Sequence, residues 1–339
     1  MNDSKIKIKL SYITGLRSVV LDELKRSNFE ILDEVDDSIF IEFSESNIQE
    51  VKKLRSVARA YLVLQSGIYH PTYISNHKSI LGNLIDTVVK YDNFKSFKIS
   101  CAGSDSLEVR SIAKYVQEAY KMEESDEADL KIHIIKPENI WEIGIQITPR
   151  PLSVRDYKVI NMSGAMDPTI AYAVNSFCNL DSALSYLNVF SGSATLLIEA
   201  GQCYPNLEKL LGFDNDKKRL SLSIQNIKRA GLIKKVQVKD ADIFDRPDLG
   251  TFDAVVSDLP FGMSILKNED LEKLYTTFIQ YCEDVLNIGG RLVVYTNEHE
   301  LIEPILLKSR FKVVQSLQLK LITNVDAYLR PKIIVCEFR

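Results

Sequence analysis

Cysteine, histidine and tryptophan are scarce in this 339-residue chain, at five, four and one. The cysteines (Cys101, Cys178, Cys203, Cys282 and Cys336) are scattered, odd in number and form no CxxC pair. That argues against a disulfide framework and a thiolate zinc site, and it suits a reducing compartment. The histidines (His70, His77, His133 and His299) share no ligand-like spacing, so no metal is expected. Charge interrupts every apolar run before the roughly eighteen residues of a membrane span. The N-terminus, MNDSKIKIKLSY, alternates charge with apolar side chains and has no apolar signal core. A cytoplasmic protein without a membrane segment is therefore expected. A basic excess is missing too. Net charge is −4; residues 1–150 carry 20 basic and 23 acidic side chains, the remainder 22 and 23. Bulk charge thus gives no sign of nucleic-acid binding, and any phosphate contacts should be few, with a shallow salt dependence.

What is present is an ordinary globular composition, 45% hydrophobic and 26% charged, in a chain long enough for more than one domain. From Leu184 onward, short β-rich runs (SYLNVFS, LLGFDN, VQVKD, FDAVVSD, RLVVYTN, FKVVQSLQL and PKIIVCEF) alternate with amphipathic stretches such as ATLLIEAGQC, KKRLSLSIQNIKRAGL and NEDLEKLYTTFIQYCEDVL. This alternation predicts a doubly wound, mainly parallel seven-stranded sheet with helices on both faces. The short link between the last two runs, Lys320 to Pro331, predicts an antiparallel pair at one edge. The first half also reads as α/β. KIKIKLSYI is a strand and RSVVLDELKRS a helix; ILDEVDDSIFIEF is a hairpin and NIQEVKKLRSVARAYLVL a second helix. FKISCAG, SDSLEVRSIAKYVQEAYKMEE, KIHIIKP and WEIGIQIT follow as strand, helix and two strands. The five acids between Glu123 and Asp129 read as a solvated segment.

Three strand ends carry the chemistry. Tyr186–Glu199 (YLNVFSGSATLLIE) runs from strand through a small-residue turn into a helix, where an open parallel sheet offers backbone N–H groups to a ligand. Only Gly192 of a dinucleotide GxGxxG is present, since Ala194 and Leu197 stand at the other two places. Pyrophosphate binding and hydride-transfer chemistry are thereby disfavoured. Asp214 ends the next strand, 22 residues beyond Gly192, the position from which a carboxylate accepts from ribose hydroxyls. Asp240 ends the third strand and is a candidate to meet an adenine amino group. The sharpest signal is Asp258-Leu259-Pro260-Phe261-Gly262 after the strand FDAVVS. A carboxylate at 258 and the carbonyl at 259 can accept both N–H hydrogens of a ring-conjugated amine, freeing its delocalised lone pair. Pro260 fixes the backbone that aims the carbonyl, and Phe261 offers a face for a flipped base.

At NVFSGSATLLIEA, LGFDNDKKRLSLSIQNIKRAGL and FDAVVSDLPFG the chain resembles the class I S-adenosylmethionine methyltransferases, in particular the THUMP-containing RNA guanine-N2 group. SYITGLRSVVLDEL is similar to the ferredoxin-like domain that precedes THUMP, and LSVRDYKVINMSGAMDPTIAYAV to the connector that follows it. The resemblance implies a ferredoxin-like domain over 1–65, THUMP over 66–155, a connector over 156–180 and a Rossmann-like methyltransferase domain over 181–339. It also implies a monomeric enzyme acting on tRNA with S-adenosylmethionine as cofactor, and DLPFG resembles the branch that methylates guanosine 6 of the acceptor stem. Carried over residue by residue, Asp258, Leu259, Pro260 and Phe261 are catalytic. Asn188, Phe190, Gly192, Ser193, Ala194, Thr195, Asp214, Asn215, Asp240 and Ala241 bind the cofactor. Arg150, Arg155 and Lys158 are candidate phosphate contacts.

The sequence departs from the family's DPFCGSGT pattern at Asn188, Ser191 and Ala194, and Met263-Ser264-Ile265 replaces a Lys-Arg that commonly follows the catalytic motif. Loss of the acid at 188 is expected to weaken cofactor binding by about 1 kcal/mol. Methylation of guanosine 10 or of ribosomal RNA by the same site, or a non-catalytic RNA-binding module, stay open as alternatives.

Overall fold

A computed structural model describes residues 5–66, 70, 76–101, 106–136, 140–160, 162, 164–261, 268–324 and 327–339. It divides into two compact units, one running to Ser153 and one beginning at Val154, with Ile13–Val19 belonging to the second.

In order, the first unit contains β1 (Lys7–Ser11), α1 (Arg17–Arg26), β2 (Ile31–Val35), β3 (Ser38–Glu42), α2 (Glu45–Val51), β4 (Arg59–Ser66), α3 (Gly82–Val88), β5 (Ser96–Cys101), α4 (Leu107–Tyr120), β6 (Glu123–Glu124), β7 (Leu130–Ile135) and β8 (Trp141–Gln146). Its strands form one eight-stranded sheet, ordered β2-β3-β1-β4-β8-β7-β5-β6. The helix expected over 47–64 is corrected here. Only Glu45–Val51 is helical, capped by the Ser44 hydroxyl on the Asn47 amide, and Arg59–Ser66 is a strand. Pairing on both sides, with β1 and with β8, outweighs the helical propensity of Ala60, Leu62 and Leu64. The expected boundary at residue 65 therefore falls inside a continuous sheet.

The second unit comprises α5 (Pro168–Ser176), β9 (Ser185–Val189), α6 (Thr195–Cys203), β10 (Lys209–Asp214), α7 (Lys217–Arg229), β11 (Val236–Asp240), β12 (Phe252–Asp258), α8 (Asn268–Val285), β13 (Leu286–Thr296), α9 (His299–Leu307), β14 (Phe311–Gln318), β15 (Leu321–Asn324), β16 (Ala327–Leu329) and β17 (Lys332–Phe338). Its seven-stranded sheet is ordered β11-β10-β9-β12-β13-β17-β14. The strands from β11 to β13 are parallel, and β17 inserts antiparallel between β13 and the edge strand β14. Strand order reverses between β9 and β12, so the carboxyl ends of those two strands define the crevice where doubly wound sheets bind ligands. The helix α8 shows why the layer holds. Leu271, Leu274, Tyr275, Phe278, Ile279 and Cys282 recur at helical spacing and are all buried against the sheet. Each large apolar side chain so buried contributes about 1.5–3 kcal/mol.

Candidate functional site

At the crevice between β9 and β12, two side chains stitch the strands together. Asn188 Nδ2 donates to the Val189 and Val256 carbonyls, each at 3.1 Å, and the buried Ser257 hydroxyl donates to the Val189 carbonyl at 3.0 Å. Asn188 is thus more than an acid's stand-in, because a carboxylate there would have no proton to give either carbonyl. Its Oδ1 is buried and has no partner.

After β9 the chain turns through Phe190 and Gly192, both at positive φ (56° and 48°), and enters α6 through Ala194 at φ 62°. The Ser191 amide donates to the Phe213 carbonyl at 2.9 Å and the Gly192 amide to Asp214 Oδ2 at 2.9 Å. The other Asp214 oxygen accepts from the Asp216 amide at 3.0 Å. One carboxylate therefore locks two loops while keeping spare acceptor capacity. Gly212 lets the turn close on β10: a Cβ there would lie 2.6 Å from Leu197 Cδ1 and 2.8 Å from Ser191 Cβ.

On the other strand, the Leu259 amide donates to the Tyr295 carbonyl at 2.9 Å, and the Pro260 carbonyl accepts from the buried Tyr275 hydroxyl at 2.8 Å. Tyr275 Oη is also 3.4 Å from Thr296 Oγ1, and burial pushes the phenol up to about 12. Asp258 Oδ1 is buried and has no partner. Desolvation alone raises its carboxyl to about 7.

These elements surround one cavity of about 400 Å³. Asn188, Phe190, Gly192, Ser193, Thr195, Asp214 and Asn215 line it, and so do Asp258, Leu259, Pro260 and Phe261. Eleven of the fourteen expected catalytic and cofactor positions thus share one space. Ala194, Asp240 and Ala241 are not among the lining residues. Ala194 is fully buried behind the turn. Asp240 pairs with Lys217 at 3.1 Å and is half exposed, while the Ala241 amide donates to the Asp214 carbonyl at 3.2 Å. Gly262 and Met263–Ile265 lie outside the described residues.

Two of the expected phosphate contacts have partners within the protein. Arg155 is 11% exposed and its Nε lies 3.2 Å from Oε1 of the fully buried Glu199, which also accepts from the Tyr157 hydroxyl at 2.8 Å. Lys158 Nζ donates to the Met166 carbonyl at 2.8 Å, and burial lowers its pKa. Arg155 thus ties the start of the connector to α6, and Lys158 closes a contact within the connector. Arg150 is exposed, in the first unit.

Sequence reasoning missed part of the wall. Gly164, Ala165 and Met166 of the connector, with Asp216 and Arg219 at the start of α7, also line the cavity. Asp216 was findable, since an Asp before Lys-Lys-Arg is an N-cap pattern; its carboxylate accepts from the Lys218 and Arg219 amides at 3.0 Å. Nothing local marks Gly164–Met166 as part of the cavity wall, or Tyr275 as the partner of the Pro260 carbonyl.

Asn188, Ser191 and Asp258, each with a buried oxygen that has no partner, line a single cavity. Buried polar groups without partners are what a polar ligand would satisfy, so the residues present fit a small, amine- and hydroxyl-bearing cofactor. Residues 155–324 match the RMKL-like methyltransferase-domain family. The chain is 26% identical over 215 residues to the U6 snRNA (guanine-N(2))-methyltransferase THUMPD2 of Bos taurus, covering 60% of this chain and 41% of that protein. It is 29% identical over 167 residues to the tRNA (guanine(6)-N2)-methyltransferase of Thermus thermophilus, covering 49% and 48%. In each case the match spans less than half of the relative's length. The crystal structure of TrmN from Thermus thermophilus superposes with a TM-score of 0.74 at 20% identity, covering 98% of this chain and all of that one.

Proposed function

The chain belongs to the RMKL-like methyltransferase-domain family, and from that premise we propose that it transfers a methyl group from S-adenosylmethionine to the exocyclic N2 of a guanosine in RNA. The observation that carries this reading is the common cavity of the Gly192 turn and the Asp258–Phe261 segment. tRNA is the favoured substrate, with guanosine 6 as the position, because a relative of that printed activity aligns with 49% of the chain. In this reading the first unit grips the RNA, and the protein works in the cytoplasm.

S-adenosylmethionine, when bound, supplies an electrophilic methyl group on a sulfonium. Asn188, Ser191, Gly192, Ser193 and Thr195 would hold its amino-acid end. Asp214 and Asn215 would hold its ribose, with Asp216 and Arg219 on the same rim. The Asp258 carboxylate and the Leu259 carbonyl accept the two N–H hydrogens of the guanine amine and draw its lone pair out of conjugation. Phe261 stacks on the base and Pro260 fixes the backbone between them. Asp258 must be ionised to act, and it takes the proton that nitrogen sheds on gaining its fourth bond.

The test is mass-spectrometric nucleoside analysis of tRNA and U6 snRNA transcripts incubated with the chain and isotopically labelled cofactor. Labelled N2-methylguanosine is the expected product. Label in another nucleoside, or in none, would overturn the reading. Absence of S-adenosylhomocysteine binding by calorimetry would favour a non-catalytic module instead.

A further inference from the structure

The antiparallel pair β14–β17 does not stop at the rim of the second unit's sheet. Asp258 of β12 lies opposite Tyr295 of β13, Thr296 opposite Lys332 of β17, and Lys332 opposite Gln318 of β14, so these residues mark one edge. Beyond it the ladder continues. The Leu319 amide donates to the Pro331 carbonyl at 2.9 Å, Leu321 pairs with Leu329, and Ile322 with Tyr328. β15 and β16 are thus a two-stranded arm that leaves the sheet at the edge carrying Asp258. Neighbouring strands are about 4.8 Å apart, which sets the arm's root roughly 10 to 15 Å from Asp258 along the rim. The root is braced. Leu319 is buried, and the Lys320 amide donates to the Thr14 carbonyl at 3.1 Å. Gly15, at φ 101°, comes so close that a Cβ there would meet the Gln318 carbonyl oxygen at 2.3 Å.

One face of the arm gathers cations. The register on either side, Gln318 opposite Lys332 and Leu321 opposite Leu329, places Lys320 opposite Arg330. Like charges directly opposite on a ladder are destabilising, and among the described residues no carboxylate pairs with either cation. Lys332, at the foot of the arm, is by contrast paired with Glu303 at 2.8 Å. Tyr328 holds the two cations together. Lys320 Nζ lies 5.1 Å and the Arg330 guanidinium carbon 4.8 Å from its ring centroid, and Arg330 Nη2 donates to the Tyr328 hydroxyl at 3.0 Å. A cation set on an aromatic ring keeps its charge, and a guanidinium has N–H donors to spare. Lys320, Tyr328 and Arg330 are all exposed. An anion between the two cations relieves their repulsion, and a guanidinium oriented by a ring matches the geometry of a phosphate.

We propose that Lys320 and Arg330 clamp a backbone phosphate of the RNA substrate beside the nucleotide that enters the Asp258 cavity, with Tyr328 keeping the clamp in shape. The proposal rests on the RNA-methyltransferase reading above and adds to it the residues that fix the substrate at the rim. The root's place decides the role. An arm that starts on the catalytic edge meets the RNA next to the reacting base, so it governs where the substrate lies and leaves the cofactor and the transfer step alone.

The experiment is steady-state methyl transfer to a tRNA transcript by the full chain, with binding of the same RNA followed by fluorescence anisotropy across salt concentrations. Lys320→Gln/Arg330→Gln should raise KM for RNA about tenfold and leave kcat within about twofold, while the slope of log K against log salt falls by about 1. Tyr328→Leu should raise KM about threefold with the slope unchanged, since it releases the cations without removing them. Affinity for S-adenosylhomocysteine should stay constant in both, which also reports that the variants fold. Lys312→Gln, exposed at the far end of β14, is the control and should behave as wild type. Unchanged KM in the double variant, an equal rise in the control, or a fall in kcat at unchanged KM would overturn the clamp and leave the methyltransferase reading intact. A wild-type chain that transfers no methyl group to RNA would overturn both.

Discussion

The Tyr275 hydroxyl donates to the Pro260 carbonyl at 2.8 Å, from inside a helix to the middle of the segment that faces the reacting base. Tyr275 is fully buried, so this bond fixes the loop from behind without entering the cavity. Tyr275→Phe removes the donor and leaves a carbonyl unsatisfied, a loss of about 1–3 kcal/mol. The expected result is a kcat about tenfold lower, with S-adenosylhomocysteine affinity unchanged by calorimetry. Equal kcat values would show that Pro260 needs no anchor.

Asp258 sets a pH dependence whose sign is fixed. Burial raises its carboxyl to about 7, so methyl transfer should rise with pH through that value as the carboxylate forms. Stability should move the other way. The native state keeps this proton to higher pH than the unfolded chain does, so native stability falls between about pH 4 and 7. Asp258→Asn should therefore melt higher than wild type above pH 7, and the gap should close below pH 4. A gap independent of pH would mean that Asp258 is solvated.

Asn188 should not tolerate the acid that its relatives carry. Asn188→Asp sets a carboxylate against the Val189 and Val256 carbonyls that now accept from Nδ2. The expected cost is about 1–3 kcal/mol of stability in denaturant melts, with no gain in cofactor affinity. Tighter cofactor binding without loss of stability would assign Asn188 to weakened binding alone.

Ala194 sits at φ 62° and ψ 21° at the start of α6, a conformation that costs a side chain about 1–2 kcal/mol. Ala194→Gly should raise the melting temperature or leave it unchanged, despite the greater freedom glycine gives the unfolded chain. A fall of several degrees would show that the methyl group packs better than its backbone suffers.

Arg155→Ala should act as a stability mutation. It strips a charge partner from the fully buried Glu199, a change that costs about 3–5 kcal/mol in buried pairs. RNA affinity of the protein that remains folded should match wild type. Selective loss of RNA binding at unchanged stability would restore Arg155 as a phosphate contact.

The second unit was legible because its signals are local. Three of the β-rich runs carry, at or next to their ends, a residue that lines the cavity (Asn188, Asp214 and Asp258), and the strand–helix alternation leaves few topologies. The first unit was harder to read. Ala60–Leu64 carry a helical pattern that two neighbouring strands override. The partners of Arg155 and Lys158 were not legible, because a basic side chain's partner can be a buried Glu199 or a Met166 carbonyl. No spacing rule reveals either.

The most direct measurement compares Asp258→Ala with wild type in methyl transfer to RNA and in S-adenosylhomocysteine binding. Transfer should fall by about a hundredfold or more, while cofactor affinity stays within about a few fold, because Asp258 serves the amine and not the cofactor. Near-normal transfer by Asp258→Ala would contradict the assignment of this carboxylate to the reacting nitrogen.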